Sequence, residues 1–115
     1  MGDICYVCGK KTDNPKEYFD GIVIGITIKG YSSFATGEIN CSVCSDECAA
    51  VLGVIVHGMM GFSEEEILEH LYEEHGIPEE VLERLPEIMK NMDKSILNRV
   101  SKRVSRKFIR IARKL

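Results

Sequence analysis

An α+β fold is what this sequence predicts, and three observations carry the prediction. Residues 1–48 are rich in glycine, β-branched residues and cysteine; a run of alternating isoleucines within them has the period of a strand; and residues 49–115 have the spacing and punctuation of helices. The expected organisation is a knuckle, hairpin and helix module over residues 1–60, then a helical segment over 61–115 of three to four helices. With 115 residues, 44% of them hydrophobic and 29% charged, the chain is about one domain long and has the composition of a folded protein.

Each element has its own signal. In YFDGIVIGITIKGYSSFATGEIN, residues 18–40, Ile22, Ile24, Ile26 and Ile28 fall on one face and Val23, Gly25 and Thr27 on the other, the period of a half-buried strand. A turn is expected near KGYSS, with a return strand from Phe34 to Cys41 and with Tyr31 and Phe34 packing into the core. Ser45 reads as an N-cap, with Asp46 and Glu47 in the first turn, opening a helix that runs through Leu52 to about His57. Ser63 with Glu66 forms a capping box and Gly76 a stop, which predicts a helix over 64–75 with Ile67, Leu68, Leu71 and Tyr72 as its apolar face. Pro78 starts a further helix, Pro86 interrupts it or starts the next, and a last helix spans about 93–115.

The start of the chain lacks a basic stretch followed by an apolar run, so no secretory signal is read and a cytoplasmic location is expected. The most apolar run, residues 49–62, is shorter than the roughly 20 residues a membrane helix needs. In that setting five cysteines, an odd number, point to a metal site rather than a disulfide framework.

Cys5 and Cys8 form a Cys-x2-Cys knuckle followed by Gly9, which leaves room for backbone N–H groups to approach the sulfurs. The second pair comes from CSVCSDEC, either Cys41 with Cys44 or Cys44 with Cys48. If Ser45 caps a helix, Cys48 lies in its first turn and Cys44 just before it, so both face the positive helix end that stabilises thiolate. CYVCGK, a hairpin, and CSDEC entering a helix together resemble a treble-clef zinc finger of the Cys-Ser-x-x-Cys type, shared by MYND fingers, TRASH-type archaeal metal-binding domains and a large-subunit ribosomal protein. The resemblance covers residues 5–52 and implies Cys5, Cys8, Cys44 and Cys48 as ligands of one structural Zn2+; the spacing of Cys41 and Cys44 keeps Cys41 as a substitute for Cys48. Four thiolates leave no open position for catalysis.

Signals for an enzyme are weak. His70 and His75 are five residues apart, whereas a zincin helix needs two histidines four apart, so they read as solvated helix histidines among acids. His57, inside an apolar run, reads as a core or boundary residue, and Glu64 to Glu66 as a solvated helix start. GVIVHGMMG has neither the dinucleotide-binding spacing nor a P-loop, and a non-enzymatic protein is expected.

Charge is divided sharply. Arg99, Lys102, Arg103, Arg106, Lys107, Arg110, Arg113 and Lys114 give residues 99–115 a charge of +8 with no acid, while the rest of the chain stands at −11. Leu97, Val100, Val104, Phe108, Ile111 and Leu115 recur every three or four residues, so the last helix has one apolar stripe with basic residues around it. The leading expectation is a DNA- or RNA-binding protein, regulatory in role, whose eight basic residues contact phosphates. The competing one is an assembly module whose basic helix pairs with an acidic protein, a dimer mate, or its own segment 63–93, which holds 11 acids and 2 bases. A metal-sensing role, implied by the TRASH-type resemblance, ranks third. A membrane surface fits least, since Phe108 is the helix's single aromatic and the chain has no Trp.

Overall fold

The computed structural model describes residues 3–115 and has a mixed α+β architecture. Among the described residues, four strands pair into two separate antiparallel sheets, and four helices come after them in the chain. Strands β1 (Asp3–Ile4) and β2 (Lys11–Thr12) clasp the knuckle between them. The second sheet is a single long hairpin, β3 (Lys16–Ile28) with β4 (Tyr31–Val43). Helices α1 (Asp46–Met59), α2 (Glu64–His75), α3 (Glu79–Asn91) and α4 (Lys94–Ala112) complete the chain.

The hairpin is tighter and longer than its pattern suggests. Ile28 pairs with Tyr31, so Lys29 and Gly30 alone make the turn, with φ of 52° and 83°. Two consecutive positive φ angles give the turn geometry that matches the twist of paired strands. Tyr31, Ser32 and Ser33, expected within the turn, are already ladder residues. At the other end the ladder continues to Lys16 paired with Val43.

Only the proximal half of the hairpin is covered. Tyr18, Asp20 and Ile22 are buried on the inner face of β3, but Ile26 and Ile28, on the same face, are 40% and 60% exposed. Tyr31 and Phe34 do not enter the core, being 82% and 71% exposed. The helices end short of them, and the Phe34 ring instead lies over its cross-strand partner Gly25, which has no side chain of its own. A radius of gyration of 14.9 Å, against about 13 Å expected for this length, fits a projecting ribbon.

One contiguous core runs from Cys5 and Val7 through Tyr18, Ile22 and Ile39 to the helices. Helix α1 is its centre, burying Ala49, Ala50, Val51, Leu52 and Val56 and touching both long strands and the three other helices. Helix α2 begins with the predicted capping box and stops at Gly76 in the left-handed conformation. It buries Ile67 and Leu71, but Tyr72 is 52% exposed rather than part of the apolar face. Pro78 caps α3; contrary to expectation Pro86 neither interrupts that helix nor starts another, but lies inside it, and Asp93 caps α4 by accepting from the Ser95 N–H.

Two glycines set helix positions. A Cβ on Gly37 would lie 2.4 Å from Ile111 Cδ1, so α4 settles directly onto the hairpin backbone. A Cβ on Gly53 would lie 2.3 Å from Leu71 Cδ2, so α1 and α2 meet at a point where no side chain fits. Gly53→Val is expected to lower unfolding stability by about 1–3 kcal/mol through overpacking. Denaturant titration checks this, with partial recovery expected when Leu71→Ala is added.

Candidate metal centre

The sulfurs of Cys5, Cys8, Cys44 and Cys48 all lie within 4.8 Å of one another. Three local structures aim them. The knuckle turn closes through a bond from Gly9 N–H to the Cys5 carbonyl and from Cys5 N–H to the Lys10 carbonyl, with Gly9 at φ 78°. Val43, at the end of β4, delivers Cys44 beside the knuckle, and Tyr6 N–H binds the Ser42 carbonyl across the join. Ser45 then caps α1, its hydroxyl accepting from Cys48 N–H at 3.2 Å, and this turns Cys48 back toward Cys44.

Cys44 Sγ lies 3.6 Å from both Cys8 Sγ and Cys48 Sγ. A disulfide needs about 2.05 Å, whereas the edge of a tetrahedron with metal–sulfur bonds of 2.3 Å is about 3.8 Å. The cluster therefore has the size of a four-thiolate metal site. Its protonation fits that chemistry. Burial pushes the Cys5 thiol up, but backbone N–H groups of Cys8, Cys44 and Val7 outweigh it and bring it down to about 7. Burial raises Cys8 and Cys48, and their sulfur neighbours raise them further. One thiolate forms readily and makes the next harder to form, an unfavourable arrangement that a bound cation reverses.

Cys41 stands outside this group. It sits on β4 opposite Tyr18, under α4, where burial raises its thiol to about 11 and the charges of Arg103 and Lys107 act to lower it. Cys41 lies within the strand, whereas Cys44 follows its end, and the four-sulfur group does not include Cys41.

Helix α4 braces the knuckle from behind. Arg99 Nη2 donates to the Val7 carbonyl at 2.7 Å, and Arg103 Nη1 donates to the Tyr6 carbonyl at 3.2 Å while its guanidinium lies 3.9 Å above the Tyr6 ring. The peptide groups whose carbonyls they hold are the ones whose N–H groups, on Val7 and Cys8, point at Cys5 sulfur. A cation on the carbonyl side polarises each N–H toward the thiolate. Lys114 similarly donates to the Thr36 carbonyl at 3.2 Å. Three of the eight basic residues are thus engaged with the body of the protein. Lys102, Arg106, Lys107, Arg110 and Arg113 are not, and among the described residues no α4 cation pairs with a carboxylate. The acids of α2 and α3 leave the basic helix unneutralised.

The histidines depart most from expectation. His70 and His75 are not solvated helix residues: their side chains are 30% and 10% exposed, and both turn inward onto Asp20. His70 Nε2 lies 2.8 Å from Asp20 Oδ1 and His75 Nε2 lies 3.0 Å from Oδ2. His57 is buried, as expected of a core residue, and its Nε2 faces the same carboxylate at 3.7 Å. Tyr18 donates its hydroxyl to Asp20 Oδ2 and stacks flat on the His75 ring at 4.5 Å. A five-residue spacing on a helix places two histidines poorly for a mutual ion, yet at the C-terminal end of α2 the Nε2 atoms of His70 and His75 come within 3.2 Å. A signal was present on the hairpin: Asp20 has the parity of Tyr18 and Ile22, so the alternation that buries them buries a carboxylate too.

No protein-family model, curated protein or solved structure matches this chain. No helix among the described residues is long and apolar enough to cross a membrane. What function can be read comes from the four-sulfur cluster, the free basic face and the histidine cluster.

Proposed function

We propose that this is a small, non-enzymatic nucleic-acid-binding protein, regulatory in role, in which a structural Zn2+ on Cys5, Cys8, Cys44 and Cys48 holds a treble-clef module and α4 contacts phosphates. The order of knuckle, hairpin and helix supports the treble-clef reading, and the all-sulfur donor set supports zinc. The observation that carries the nucleic-acid reading is the unpaired face of α4, where Lys102, Arg106, Lys107, Arg110 and Arg113 stand on a helix anchored by Arg99 and Arg103. Arg103, Arg106, Lys107 and Arg110 line a shallow cleft of about 220 Å³ with Tyr6, a setting for a phosphate group. Rigid cations of one sign release counterions on binding, and this gives affinity with little dependence on sequence.

Salt titration of binding to random duplex and single-stranded oligonucleotides tests the reading. Five phosphate contacts predict a log–log slope of about −4.5 on duplex. A slope near zero, or no binding at low salt, overturns it.

A second reading, an assembly module, draws on the hairpin. Val23, Ile28, Tyr31 and Phe34 leave an apolar ribbon uncovered at its outer end, the kind of surface that marks an interaction. Sedimentation of the full chain would reveal self-association, which Tyr31→Ser with Phe34→Ser is expected to abolish.

A further inference from the structure

We propose that the chain carries a second metal site, for one divalent transition ion, built by Asp20 of β3 with His70 and His75 of α2, and with His57 of α1 facing the same carboxylate from behind the site. It lies outside the cysteine cluster and depends on none of its residues. One oxygen of Asp20 and one ring nitrogen each of His70 and His75 lie within 4.8 Å of one another. The two Nε2 atoms are 3.2 Å apart, and both also face the Asp20 carboxylate. In a tetrahedral site with metal–ligand bonds of 2.0–2.1 Å, neighbouring donor atoms are about 3.3 Å apart. The observed separations among the three residues, 2.8 to 3.2 Å, lie just below that value.

Proton accounting points the same way. His57 Nδ1 lies 2.8 Å from the Gly53 carbonyl. A carbonyl only accepts, so Nδ1 carries the proton, and in the neutral ring Nε2 presents a lone pair to Asp20. A lone pair facing a carboxylate oxygen is repulsive until a proton or a metal cation lies near them. The backbone carbonyl thereby fixes the tautomer of the ring that stands behind the site. The Tyr18 hydroxyl holds Asp20 in the same way, as a hydrogen-bonded ligating carboxylate is held.

The ion has a route in. Asp20, His57 and His70 form the floor of a cavity of about 530 Å³ whose rim carries Glu66, Glu69 and Glu73. Those carboxylates raise the local concentration of cations and disfavour anionic ligands. Imidazole with a carboxylate suits Zn2+, and Co2+ is a spectroscopic substitute. Three protein donors hold the ion and leave one position toward the cavity, so the ion fastens α2 to the hairpin, and its binding is a docking event for α2.

The test is metal stoichiometry and affinity of the untagged full chain with Zn2+ and then Co2+ alone. Two ions per chain are expected. His70→Ala and His75→Ala should each leave one ion and an unchanged thiolate-to-cobalt charge-transfer band, which shows that the cysteine site and the fold around it persist. His57→Ala should weaken the second ion by about 10–100-fold. One ion per wild-type chain, lost on Cys44→Ser, overturns the proposal, as do two ions in both His70→Ala and His75→Ala. Should a histidine variant fail to fold, wild-type protein still decides: without a second ion, Co2+ gives only the thiolate-bound spectrum.

Discussion

Cys48→Ser is expected to lose the cysteine-bound metal and to lower unfolding stability by at least about 4 kcal/mol, the range in which loss of a structural metal falls. Cys48 is buried and stands 3.6 Å from Cys44, at the position where α1 begins. A hydroxyl there offers neither a soft donor nor a bond long enough to reach the ion. Without the ion, the knuckle is held by the two-residue strands β1 and β2, the Tyr6–Ser42 bond and the Arg99 and Arg103 contacts from α4. Cys41→Ser is expected to keep the metal, because Cys41 lies under α4 and apart from the four sulfurs. Metal content after gel filtration, with denaturant titration of both variants, checks the pair. Metal kept by Cys48→Ser and lost from Cys41→Ser would reassign the ligands.

Replacing Lys102, Arg106, Lys107, Arg110 and Arg113 together by Gln is expected to remove most nucleic-acid binding. Between 50 and 200 mM salt the wild-type chain should lose affinity by about 500-fold, and the variant should show an almost flat dependence. Gln keeps helix propensity, and none of the five is among the buried residues, so the fold should persist. Deleting the helix would be a poorer experiment, since Val100, Val104 and Ile111 are buried in the core. Arg99→Gln should act differently, disturbing the knuckle through the Val7 carbonyl while leaving the salt dependence nearly intact. Equal slopes for the five-residue variant and the wild type would discard α4 as the contact surface.

Much of this was legible in the sequence because local chemistry decided it. The Ser45 cap, the Ser63 and Glu66 capping box, the Gly76 stop and the stripe of α4 each depend on residues within a few positions of one another, and the helices begin and end close to where those signals lie. The four-cysteine cluster was legible for the same reason, since two short motifs preorganise their own sulfurs and the hairpin needs only to join them. The histidine cluster was not. Its members stand at positions 20, 57, 70 and 75, and their meeting depends on α2 crossing α1 at Gly53, a packing detail no local pattern encodes. The outer hairpin failed for a related reason: alternation says which face Ile26 and Ile28 share, but not that the helices stop short of them. Pairing of the basic tail with the acidic segment was plausible from charge alone, yet it needed an orientation that the fold does not adopt.

The two-residue turn at Lys29 and Gly30 has a bearing on how the cysteine cluster assembles. Cys8 and Cys44 are 36 positions apart, and closing a ring of that size in a free chain costs about 4 kcal/mol of entropy. The ladder from Ile28–Tyr31 to Lys16–Val43 closes most of that ring by nearest-neighbour pairing, one short step after another. An arriving ion therefore meets ends already brought together, and what it orders is the few residues of the knuckle and the first turn of α1. Removal and recapture of the ion become local opening and closing at one end of a standing ribbon, with the rest of the molecule as spectator.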